Sequence, residues 1–148
     1  MKLKLHAFGG AIALLTIACF WTSTALVELF GTHAQIAQVK TAILYGMALL
    51  IPAMATAGAT GAALGKGWRL PEVAAKSARM KMIAANGLLI LLPSAVFLAI
   101  RANAGQFDTL FYVVQALELL AGATNITLLT LNLRAGLALR RRRTARGR

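Results

Sequence analysis

Five residues near the C-terminal end have types and spacing that could do chemistry. Gln115, Glu118, Gly122, Asn125 and Asn132 follow one another at intervals of 3, 4, 3 and 7, so a helix presents all five on one stripe. They sit in a mostly apolar run, residues 109–136. An amide or carboxylate left unpartnered in hydrocarbon costs several kcal/mol, so this stripe is expected to face protein. Glu118 then has two readings. As a protonatable or ion-binding group it would give the chain a transport site. As a neutral or paired acid, bonded to Gln115, Asn125 or a threonine, it would lock a helix bundle. Asn86 and Asn125 are expected to make interhelical hydrogen bonds.

Four more charges stand at the ends of apolar runs: Glu28, Lys40, Arg101 and Asp108. Helix packing alone can bring Lys40 and Arg101 to the depth of Glu28 and Asp108. Glu118 lies about ten residues, roughly 15 Å, beyond Asp108. No Lys or Arg shares its depth unless a long side chain such as Lys40 reaches inward. The candidate intramembrane polar site is therefore Glu118, Gln115, Asn125, Glu28, Lys40, Arg101 and Asn86.

His6 and His33 raise the question of haem, which b-type membrane cytochromes hold between histidines of facing helices at one depth. These two flank the same apolar run, about 27 residues and roughly 40 Å apart along a helix, so they cannot share one haem within a chain. Ligation by His6 with a methionine such as Met80 or Met82, or by His6 of two copies, is the remaining arrangement. The opening KLHAFGGAIAL is similar to the first helix of small four-helix haem proteins of the copper-resistance D and protoporphyrinogen-oxidase type. The further histidines of those families have no counterpart here. No cofactor and no metal are predicted, with haem b or a quinone as the alternative.

The elements that must position these groups follow from hydropathy. Apolar residues make up 59% of the 148-residue chain and charged residues 14%, against about 45–50% and about 25% in soluble domains. The mean hydropathy is +0.71. Four runs are long enough to cross a bilayer, at about 7–30, 41–64, 82–100 and 109–136. The fold expected is an all-α integral membrane four-helix bundle, a single domain of two antiparallel hairpins. The first run exceeds the apolar core of a cleaved signal, so it is expected to stay as the first helix. Pro52 predicts a kink. Ala53, Ala57, Gly61 and Gly65 form a ladder of small residues suited to close helix contact. Thr16, Cys19 and Ser23 form a polar stripe expected to pack on the fourth helix. Pro71 and Glu72 are expected to start a short interfacial helix, with Trp68 as an anchor.

The net charge of +12 reflects topology. Of sixteen Lys and Arg, seven lie between Arg134 and Arg148, five between Lys66 and Lys81, and two at Lys2 and Lys4. Only Lys40 and Arg101 fall on the other side. By the positive-inside rule both termini, the central loop and the basic tail 137–148 are cytoplasmic, in a plasma membrane of bacterial type. No nucleic-acid motif is present. Anionic headgroups are the expected partners of the arginine tail. A single cysteine, Cys19, rules out an intrachain disulfide. Nothing matches a hydrolase triad, a phosphate-binding glycine loop or a zinc cluster. The function expected is that of a non-enzymatic accessory or assembly subunit of a larger membrane complex, or a homo-oligomer. The alternatives are a small proton- or ion-coupled transporter using Glu118 and a haem- or quinone-associated redox protein.

Overall fold

A computed structural model of the chain describes residues 2–65 and 71–146. The expected anchor Trp68 lies outside the described residues, as do the side chains of Glu72 and of the arginines at 140–148. The described residues are helical throughout, apart from two turns at 31–32 and 104–108. Helix α1 is Lys2–Phe30 and α2 is His33–Gly65. Helix α3, Pro71–Asn86, passes into a π-helical segment, Gly87–Leu91, and then into α4, Leu92–Asn103. Helix α5 is Thr109–Arg146. Four helical rods are thus long and apolar enough to cross a membrane, the third being α3, the π segment and α4 taken together.

The rods are longer than the apolar runs, for local reasons. Thr32 and Gln35 form a capping box: the Gln35 N–H donates to Thr32 Oγ1 at 3.3 Å, and the Thr32 N–H donates to Gln35 Oε1 at 2.8 Å. This starts α2 at His33, so the connection expected between the runs 7–30 and 41–64 shrinks to two residues. A side chain on Gly31 would stand 2.6 Å from the Val27 carbonyl, which explains the glycine there. The separate interfacial helix expected after Pro71 does not form. No helix breaker interrupts Val73–Met82, so α3 runs straight into the span. In the second turn Gly105 adopts φ +69°, and Asp108 caps α5 by accepting from the Phe111 N–H at 3.0 Å.

The two internal prolines are absorbed differently. α2 continues unbroken through Pro52. Pro93 stands in the first turn of α4, and the turn before it is widened so that the Leu92 N–H reaches the Gly87 carbonyl five residues back. Such a π bulge lets the rod continue past a residue with no N–H to give.

The rods run up and down in sequence. α1 packs on α2 and α5, and the third rod packs on the same two. Hence α2 and α5 lie diagonally opposite, as do α1 and α3. Small residues share the interior with a few large ones: Ala13, Ala53, Ala57, Ala95, Ala99 and Ala102 are buried, as are Ile83, Leu98 and Phe111. Other large ones face outward, including Leu15, Leu29, Phe30, Leu89 and Leu120, each at least 70% exposed. In water such an exterior would be a surface for aggregation.

Candidate functional site

The polar stripe of α5 faces inward. Gln115, Asn125 and Asn132 are 3%, 1% and 5% exposed, because a 3–4 repeat keeps them on the side turned to α1 and α3. Lys40 on α2 is 1% exposed, and its ammonium meets Glu118 Oε2 at 2.5 Å. Gln115 donates to the same oxygen from Nε2 at 3.2 Å. The pair spans the diagonal of the bundle, which only a side chain as long as lysine can bridge. Lys40 therefore serves the deep acid, not Glu28.

Glu28 remains within electrostatic reach of Lys40, Glu118 and His33. Its Oε1 is buried without a hydrogen-bond partner, and so is Oε1 of Gln115. Lys40 thus bonds one carboxyl group, that of Glu118, with a second, that of Glu28, in its field. Fully ionised, the two carboxyl groups carry one negative charge more than Lys40 can balance, which is expensive in an apolar interior. The layer is plugged towards the short turns by Ile36, Leu98, Ala102 and Phe111. On that plug His33 stacks against Phe107, ring centres 4.0 Å apart and 8° from parallel. On the opposite side a cavity of about 60 Å³ reaches Glu118 and is lined by Ile17, Phe20, Trp21, Thr24, Met47 and Leu91. Apart from Glu118, Thr24 and the Trp21 indole its lining is apolar.

The neighbouring contacts hold this layer in place. Trp21 donates from Nε1 to the Leu119 carbonyl at 2.9 Å. Gly122 makes room for it, since a side chain there would come within 3.0 Å of the indole. The polar stripe expected on α1 is displaced: Cys19 is exposed, and the buried hydroxyl belongs to Thr24. Offset packing turns Ala13, Ile17 and Thr24 inward in its place. Asn86 donates to both the Ala121 carbonyl and Asn125 Oδ1 at 2.8 Å. Asn125 in turn donates to the Ile83 carbonyl at 3.3 Å. This clasp ties the end of α3 to α5. A double-mutant cycle of Asn86→Ala and Asn125→Ala is expected to give a coupling of about 0.6–1.7 kcal/mol in detergent unfolding.

The other candidates lie apart from the layer. Arg101 pairs with Asp108 across the short turn and lies over the Phe97 ring. Asp108 is 54% exposed, so this pair contributes little to stability. His6 stands at the opposite end and both its ring nitrogens are engaged, Nδ1 with the Ala57 carbonyl at 2.9 Å and Nε2 with Lys76 Nζ at 3.2 Å. Axial ligation by His6 would require displacing Lys76. Among the described residues no three His, Cys, Asp or Glu side chains come together as metal ligands. The small-residue ladder is used within the chain. Gly9 of α1 lies against Ala53 and Ala57, Gly61 faces His6, and Gly65 faces Val73.

Comparison with protein-family models, with curated proteins and with solved structures finds no match to this chain.

Proposed function

We propose that the chain is a multi-pass membrane protein with both termini in the cytoplasm, acting as a small proton-coupled carrier. Two features support insertion and orientation: the greasy exterior around an alanine-rich interior and the placement of fourteen of sixteen cationic residues on one side. The transport reading rests on one observation, the buried Lys40–Glu118 ion pair with a second carboxyl group, that of Glu28, left without a hydrogen-bond partner at Oε1 within its electrostatic reach.

Charge balance drives the cycle. With Lys40 held by Glu118, the site is neutral when Glu28 holds a proton. A proton reaching Glu118 removes its hold on Lys40, and Glu28 releases its own proton towards the short turns to become the anion that balances the ammonium. The diagonal link between α2 and α5 opens as a result, so proton loading changes how the rods are held.

The test is proton entry into liposomes that contain the purified protein and a trapped pH-sensitive dye, driven by a potassium diffusion potential. Entry above that of empty liposomes is expected, falling to background in Glu28→Gln and in Glu118→Gln. Unchanged entry in both variants, with helix content intact, would remove the reading.

A further inference from the structure

We propose that the end of the bundle where the chain begins carries a binding site for an anionic phosphate group, with Lys76 and Arg79 as its ligands. His6 and Asn132 position those two residues. The inference is independent of the Glu118 layer, which lies in the other half of the molecule.

Lys76 and Arg79 stand three residues apart on α3 and so share a face. Their partners in the bundle are neutral. The Ala57 carbonyl can only accept, so His6 Nδ1 carries the ring proton and Nε2 accepts from the Lys76 ammonium. Thr60 Oγ1, already donating to the Thr56 carbonyl, lies 3.3 Å from the same Nδ1 and supports this tautomer. Arg79 donates to Asn132 Oδ1 at 3.4 Å, while Asn132 Nδ2 reaches back to the Lys76 carbonyl at 3.4 Å. The cations are thus fixed by an imidazole and an amide, neither of which neutralises charge, and most of their N–H donors remain to be used.

Nor can the chain neutralise this end by itself. Fourteen cationic residues gather here by sequence, with Glu72 as the one acid. Whatever Glu72 pairs with, the excess is large. A doubly oxygenated anion matches an arginine fork beside a lysine point charge. Depth also fits: the third rod, Val73–Asn103, has 31 residues and a length of about 46 Å, against a hydrocarbon core of about 30 Å. Three residues from its end, Lys76 stands at headgroup level. The phosphate can belong to an anionic lipid or to a soluble phosphate compound, since both present the same oxygens.

The experiment uses the full chain, stripped of lipid in detergent, with phosphatidylglycerol and inorganic phosphate as probes. Binding is read as the concentration giving half-maximal thermal stabilisation and as lipid retained in native mass spectrometry. Lys76→Gln with Arg79→Gln is expected to raise that concentration about tenfold or more, the loss of charge-assisted hydrogen bonds. Lys76→Arg retains the ligand, and Arg140→Gln with Arg141→Gln has a much smaller effect. Where the paired variant does not fold, Arg79→Gln alone decides, because its one internal bond is long. Displacement of the lipid by inorganic phosphate assigns a soluble ligand; resistance to it assigns a lipid headgroup. Equal loss from the tail variant and the α3 variant, or no loss from either, overturns the site.

Discussion

Replacing Lys40 by Met is expected to destabilise the bundle by about 3–5 kcal/mol, because it strands the Glu118 carboxylate in the interior without its ammonium. Lys40 is 1% exposed and Glu118 12%, so neither can turn to water. Unfolding in mixed detergent micelles of increasing denaturing fraction measures the cost. Adding Glu118→Leu to Lys40→Met is expected to recover most of the loss, since a buried ion pair exchanged for apolar groups of similar volume is often neutral or better. That double variant separates structure from transport: it should be stable and yet carry no protons. A cost below about 1 kcal/mol for Lys40→Met, the size typical of exposed pairs, would show that the pair is solvated.

Adjacent glycines on α1 should respond in opposite ways. A Cβ on Gly9 would lie 3.1 Å from the Ala53 carbonyl and 3.4 Å from the Ala57 backbone nitrogen, whereas one on Gly10 would meet nothing within 4 Å. Gly9→Leu is therefore expected to force α1 from α2 and to cost about 1–3 kcal/mol. Gly10→Ala is expected to gain about 0.5–1 kcal/mol from lower backbone entropy in the unfolded chain and better helix propensity. The same micelle unfolding compares them, and equal effects at the two positions would contradict the close approach of the first two rods.

Each diagonal of the bundle is closed by one lysine. Lys40 crosses from α2 to Glu118 on α5, and Lys76 crosses from α3 to His6 on α1. Adjacent rods, by contrast, meet through small residues and short amides, as at Gly9 with Ala53 and Asn86 with Asn125. Both follow from geometry. Neighbouring backbones can approach closely where side chains are small, while opposite rods are too far apart for anything but a long flexible chain. The first lysine meets a carboxylate and the second an imidazole.

The four rods and the inward face of α5 were legible in the residues alone. Transfer free energy marks an apolar run long enough to span, and a 3–4 repeat of Gln115, Glu118, Gly122, Asn125 and Asn132 marks one face of a helix, with no reference to any other part of the chain. The start of α2 was not read there: hydropathy places it near Thr41, whereas the capping box of Thr32 and Gln35 begins it at His33. The π turn before Pro93 and the offset that buries Thr24 rather than Cys19 came only from the tertiary structure, which also decided that Lys40, the long side chain able to reach inward, pairs with Glu118. Each depends on which rods lie side by side and which lie across from each other. Local periodicity fixes the direction a side chain points, but the distance to its partner is a property of the assembled bundle.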